Sequence, residues 1–130
     1  MASIHVEIVT PQALAHEAEA REVRAPGFHG EFGVLPQHTN FLSVVCPGVV
    51  TIVTDSGTTR FVVGRGFVEA GPDRLTLLTE LCEPADNVDK AAAQQLLESA
   101  ETILASASPE SGDYANARRD ADLARARLSL

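Results

Sequence analysis

All five phenylalanines and eight of the nine glycines of this chain lie before Pro84; beyond it the only aromatic residue is Tyr114 and the only glycine is Gly112. Aromatic and β-branched residues with frequent glycine suit short strands joined by tight turns, whereas runs of alanine and leucine without glycine suit helices. The break therefore predicts an all-β segment followed by an α segment, residues 1–86 and 87–130. With 130 residues, 45% of them hydrophobic, the chain can bury one compact core and carry an appendage.

The first segment reads as short strands punctuated by turns. Ile4, Val6 and Ile8 alternate with His5 and Glu7, the pattern of a half-buried strand. A second run covers roughly Ala18 to Arg24 and stops at Pro26-Gly27, and Phe41–Val45 reads as a mostly buried strand. Pro47-Gly48 leads into Val49–Thr54, Asp55-Ser56-Gly57 signals a hairpin back through Thr59–Val63, and Gly71-Pro72-Asp73 separates Phe67–Ala70 from Leu75–Thr79. About ten short strands at this spacing, with no helical period between them, predict an antiparallel sandwich or barrel, and a β-sandwich is the fold expected.

The second segment predicts an antiparallel two-helix hairpin. Asp86 is the expected cap of a first helix running from Val88 to about Ala107, with Asp89 a first-turn acid. Ala93, Leu97, Ala100 and Leu104, together with Val88, Ala92, Leu96 and Ile103, make its apolar face. Ser108–Gly112 breaks it, and a second helix starts near Asp113. Tyr114, Ala117, Ala121, Ala124 and Leu128 form a seam for an antiparallel neighbour. Alanine buries little area, so this hairpin is expected to need a further surface to rest on.

Composition removes several classes of function. A net charge of −8 argues against a nucleic-acid binder, because neutralising phosphates takes a clustered excess of Lys and Arg. The N-terminus has no targeting character, and no apolar run reaches the roughly 18–20 residues that span a bilayer. Cys46 and Cys82 form no metal knuckle or redox motif and read as thiols in a reducing compartment. The histidines, His5, His16, His29 and His38, lack ligand-pair spacing on one helix, so no metal is expected. No Walker run occurs, and Gly64-Arg65-Gly66 reads as a strand-to-strand turn.

The stretch Gly30-Glu31-Phe32-Gly33-Val34-Leu35-Pro36-Gln37-His38, followed by Pro47-Gly48-Val49-Val50 and Gly66-Phe67-Val68-Glu69, resembles the epsilon subunits of F-type ATP synthases. Gln37 stands where that family usually has Gly, and Asn40 where Pro is common. The resemblance implies a non-catalytic rotor subunit of the central stalk, which couples proton-driven rotation to ATP synthesis. Its sandwich would bind the gamma subunit and sit on the ring of membrane c subunits, with Glu31 and His38 in the ring-facing loop. Its second helix carries Arg118, Arg119, Arg125 and Arg127, which resemble the set that meets the catalytic beta subunits, beside alpha, when the hairpin extends and resists hydrolysis. Asp122 lies between Arg118 and Arg125 at helix-pair spacing and is expected to neutralise them in part.

Some relatives bind ATP through a motif matched here by Val88-Asp89-Lys90-Ala91-Ala92-Ala93. Ala92 replaces the expected arginine, which disfavours ATP as a regulatory ligand and leaves Asp89 as the motif's acid; no other cofactor is implied. Association with a membrane would run only through partners, at the cytoplasmic face of a bacterial inner membrane. Two readings from the residues stand beside this one. The first is a free-standing ligand-binding sandwich with a helical dimerisation tail, for which 5% aromatic residues supply few pocket walls. The second is a small hydrolase built on Cys46, which has no evident orienting group.

Overall fold

The computed structural model describes residues 2–130. Ten strands precede two helices: β1 (Ile4–Val9), β2 (Leu14–Ala20), β3 (Glu22–Gly27), β4 (Gly30–Val34), β5 (Phe41–Val45), β6 (Gly48–Thr54), β7 (Gly57–Val63), β8 (Gly66–Ala70), β9 (Arg74–Thr79), β10 (Cys82–Pro84), α1 (Lys90–Ser106) and α2 (Gly112–Leu128). A single path of pairings folds back on itself to make the predicted sandwich. One layer runs β5-β8-β9-β1-β2; the other runs β10-β7-β6-β3, with β4 beside β3. The two layers are stitched together through Gly27 opposite Val45. Every pairing is antiparallel except β1 with β9, which is parallel.

The alternation seen in β1 sets its register. Ile4, Val6 and Ile8 are fully buried, while His5, Glu7 and Val9 face outward. Leu75, Leu77, Val68 and Val45 join them from the first layer, and Val23, Val34, Val50, Ile52, Phe61 and Val63 from the second, to make one core. The run expected as one strand from Ala18 to Arg24 is two strands. The chain passes between layers at Arg21, where its N–H donates to the Val53 carbonyl at 2.7 Å. No glycine or proline marks that corner, so composition carries no sign of it.

In β6 and β7 the alternation disappears: Val50, Thr51 and Ile52 are all buried, as are Phe61, Val62 and Val63. Thr51 and Val62 point away from the core and are covered because α2 lies against these two strands. The hairpin thus rests on the outer face of the second layer.

Asp86 does not cap the first helix. It lies in a short 3-10 turn, Ala85–Asn87, and the cap is Asp89, whose carboxylate accepts from the Ala92 N–H at 3.1 Å. Ser111 caps α2 in the same way, accepting from Tyr114 N–H at 3.2 Å. Between the helices Ala100, Ala117 and Ala121 are buried against Leu97 and Leu104. The second apolar row of α1 is not: Ala92 is exposed, Leu96 is half-buried and Ile103 stays 42% exposed.

Candidate functional site

Three surfaces carry the chemistry that this fold offers. The first is the end of the sandwich formed by the glycine-rich stretch. What reads as a loop is largely strand: β4 pairs with β3, placing Glu31 opposite Pro26 and Gly27 opposite Gly30 around a tight turn. Gly30 takes φ +114°, a conformation that L side chains rarely adopt. Glu31 is exposed and has no ion-pair partner among the described residues. His38 hydrogen-bonds the Thr39 carbonyl through Nδ1 at 2.9 Å and packs edge-on against Phe41. Glu31 and His38 line one shallow groove with Phe28 and Phe32, so the structure does bring them together. Phe28, 76% exposed at the turn tip, belongs with them and was not singled out from the sequence.

Gln37, the residue standing where glycine was expected, has φ +67°. Its N–H donates to the Pro72 carbonyl, anchoring this left-handed residue to the turn before β9.

The second surface is the outer face of the first layer, which no helix covers. Cross-strand registry sets Val44 opposite Phe67, Phe67 opposite Leu78, Leu78 opposite Val9 and Val9 opposite Leu14. The result is one apolar row across five strands, in which Val44, Phe67, Leu78 and Leu14 are 49–54% exposed. Beside it runs a polar band in which Glu69 faces Thr76, Thr76 faces Glu7 and Glu7 faces Glu17. Apolar side chains at alternate outward positions of several neighbouring strands are the sequence signal for such a row, but it emerges only once the pairing order is known.

The third surface is α2. Arg118 and Arg125 flank Asp122, with nitrogen–oxygen distances of 3.9 and 3.6 Å, as the spacing predicted. Both border a cleft floored by Phe28, Val44 and Phe67, so the arginine face abuts the apolar row. Arg119 is exposed and without an ion-pair partner among the described residues. Arg127 is different: it turns inward and grips Glu83 of β10 through Nε and a terminal nitrogen, at 2.8 and 2.7 Å. One arginine of the expected set therefore ties the hairpin to the sandwich while the other three face outward.

At the start of α1, Asp89 is engaged as the helix cap and Lys90 donates to the Leu130 carbonyl at 2.6 Å. Ala92 offers only a methyl group there. The two cysteines are free, half-buried thiols. Burial, with Glu83 beside it, pushes the Cys82 thiol up to about 11, so it is held as an unreactive thiol.

Residues 3–85 match the family model of the ATP synthase delta/epsilon chain β-sandwich domain. The chain is 40% identical over 105 residues to the ATP synthase epsilon chain of Moorella thermoacetica, covering 80% of this chain and 78% of that one. It is 38% identical over 128 residues to the epsilon chain of Nitratidesulfovibrio vulgaris, covering 98% and 95%. In fold it resembles a chain of the Euglena gracilis mitochondrial ATP synthase assembly of OSCP, F1 and c-ring. There the TM-score is 0.86 at 18% identity, over 99% of this chain and 81% of the other. With its sandwich matched by the family model and nearly its whole length matched by relatives, the chain belongs to the ATP synthase delta/epsilon family.

Proposed function

We propose that this chain is the non-catalytic rotor subunit of an F-type ATP synthase, with its two parts, 1–86 and 87–130, doing different work. The sandwich is the anchor. Its uncovered apolar row, Leu14–Val9–Leu78–Phe67–Val44, docks along the gamma subunit, and its loop end presents Glu31, His38 and Phe28 to the polar loops of the c-ring. The row is the observation that carries this reading. Contiguous apolar surface rimmed by charge marks a site for a permanent partner, and the opposite face already has its cover in α2.

The hairpin is the regulatory part. Docked as described, it exposes Arg118, Arg119 and Arg125 but commits Arg127 to Glu83. Extension toward the alpha and beta subunits breaks that pair, frees the fourth arginine and sets all of them against acidic surface, resisting wasteful hydrolysis. Nothing in the Asp89–Ala92 run supplies the guanidinium that a nucleotide phosphate would favour, so ATP is not assigned a role in the switch. None of the described helices is long and apolar enough to cross a membrane, and attachment at the cytoplasmic face runs through the ring.

The test is co-elution with the cognate complex lacking this subunit. The double substitution Phe67→Glu and Leu78→Glu places charge in the centre of the row and is expected to weaken binding by more than about tenfold. If the doubly substituted chain, still folded by circular dichroism, binds as the wild type does, the row is not the docking face.

A further inference from the structure

On the outer face of the first layer, beyond the polar band that borders the apolar row, His5 is held on both sides of its ring. Nδ1 lies 2.6 Å from Glu19 Oε1 and Nε2 lies 3.0 Å from Glu17 Oε2. Both partners are on β2, which pairs only with β1 and ends the sheet path. A neutral imidazole has one N–H and one bare nitrogen, so it can satisfy one carboxylate at most. Only the imidazolium donates to both. A protonated ring in this position staples an edge strand to its neighbour.

The surrounding charges give the staple its importance. Glu7 sits directly opposite Glu17, a like-charge cross-strand pair that destabilises a sheet unless positive charge lies beside it. Nε2 of His5 is 3.7 Å from Glu7 Oε1 as well. From β9, Arg74 donates to Glu7 at 2.9 Å, and the backbone N–H of His5 donates to the carbonyl of Asp73, just before β9, at 2.8 Å. Ser3 donates to Glu19 at 2.9 Å. Three carboxylates are thus balanced by Arg74 and a protonated His5; without the ring's proton only Arg74 remains. The other titratable group of β2 that is partly buried, His16, lies on the inner side against Phe61, with ring centroids 4.7 Å apart.

We propose that His5 is a proton-dependent clamp that pins edge strand β2 to β1, releasing the strand when the ring loses its proton. The carboxylate hydrogen bonds from Glu19 and Glu17 hold the ring above the ordinary histidine value of 6.5. The unfolded chain binds that proton less tightly, so the clamp is complete below about pH 6.5 and is lost as pH rises through the raised value. Burial holds the His16 value below 6.5, on the acid side of the His5 titration, so the two rings are displaced in opposite directions from the ordinary value. The consequence for partner binding rests on the docking reading above, because Leu14 of β2 is the last member of the apolar row. The clamp itself is a property of the isolated chain.

Amide hydrogen exchange of the full chain tests it, with rates corrected for the intrinsic pH dependence of exchange. Between about pH 5.5 and about pH 8.5, the range in which histidine changes charge, protection of the β2 amides is expected to fall severalfold while that of β6 and β7 holds. In His5→Gln the β2 amides should be weakly protected throughout, with no step. Proton NMR of the His5 ring supplies a second reading: the double variant Glu17→Gln, Glu19→Gln should return its titration midpoint toward 6.5. A β2 step of equal size in wild type and His5→Gln overturns the proposal, and so does a midpoint that the double variant leaves unchanged. Because no partner is present, failure of the docking face leaves this result untouched.

Discussion

Arg127, in the last turn of α2, and Glu83, in the last strand of the sandwich, are joined by two parallel hydrogen bonds of 2.8 and 2.7 Å across 44 residues of chain. It is the one side-chain ion pair between hairpin and sandwich among the described residues. Both side chains are largely covered, at 22% and 33% exposure, so water screens the pair less than an ordinary surface bridge. Around it α2 lies against β6 and β7, with Ala126, Val62 and Thr51 buried.

Breaking that pair should loosen the hairpin without unfolding the sandwich. Arg127→Ala or Glu83→Gln is expected to cost the docked state about 1–2 kcal/mol, the worth of a charge-assisted hydrogen-bonded pair at partial burial. Arg127→Lys should recover only part of it, because an ammonium cannot match the carboxylate with a planar fork. Amide exchange in α2 is the measurement. Protection should fall there and hold in β1 and β9; unchanged α2 exchange in Arg127→Ala would remove the pair's role as a tie.

The left-handed conformation of Gln37 leaves stability to be gained. A non-glycine residue at φ +67° costs about 1–2 kcal/mol, while glycine's extra freedom in the unfolded chain returns about 0.5–1 kcal/mol of that. Gln37→Gly should therefore stabilise by about 0.5–1 kcal/mol, seen as a higher melting temperature. A lower melting temperature would mean that the Gln37 side chain makes a contact worth more than the strain.

Gly66 has the opposite prognosis. A Cβ there would lie 1.9 Å from the Leu78 carbonyl oxygen, which is backbone in the paired strand and cannot swing aside. Gly66→Ala should separate β8 from β9, costing at least about 2 kcal/mol and probing the strands that carry Phe67 and Leu78. Gly112→Ala is the control, since a Cβ at that position meets nothing within 4 Å. Equal denaturant midpoints for the two variants would contradict the close approach.

How far the sequence could be read follows from which features are local. The division near Pro84, the hairpin at Asp55–Gly57, the seam Ala117–Ala121–Ala124 and the Asp122 pairings depend on neighbours a few residues away, and all were legible. Asp86 and Asp89 both have capping chemistry, and only the backbone decides between them; the 3-10 turn takes Asp86 out of position. Gly30–Val34 reads as a loop because its glycines suggest one, yet pairing with β3 makes it a strand. The apolar row, the Arg127–Glu83 tie and the His5 cluster arise from strand order and docking over tens of residues. Alternation in β1 announces that His5 and Glu7 face outward, but not that Glu17, Glu19 and Arg74 arrive beside them.

Cys82 provides a check on the packing under β10. With its thiol raised to about 11, the thiolate fraction near pH 8 is about two orders of magnitude below that of a free cysteine. Alkylation by iodoacetamide in a Cys46→Ser background should be slower by about one to two orders of magnitude, because the greater nucleophilicity of a higher-pKa thiolate offsets part of the loss. It should also climb about tenfold per pH unit up to the raised value. Alkylation at the free-thiol rate would show that β10 opens from β7 readily, and with it the strand that holds Glu83.

Asp122 pairs with two of the three outward arginines, Arg118 and Arg125, which makes it the sharpest probe of the hairpin's proposed role. Its carboxylate lies 3.9 Å from Arg118 and 3.6 Å from Arg125, and each such exposed pair is worth only about 0.3–0.5 kcal/mol. Removing it with Asp122→Asn should scarcely alter folding but should raise the positive charge that α2 presents to an acidic partner. In a reconstituted complex, hydrolysis should therefore be slowed more by Asp122→Asn than by the wild-type chain, and less by Arg118→Ala with Arg125→Ala. Both effects should shrink as salt rises, because screening weakens attraction between exposed charges. The two variants move the same interaction in opposite directions while leaving the Arg127–Glu83 tie intact. If all three chains bind equally and hydrolysis is the same with each, Arg118 and Arg125 do not engage the catalytic head.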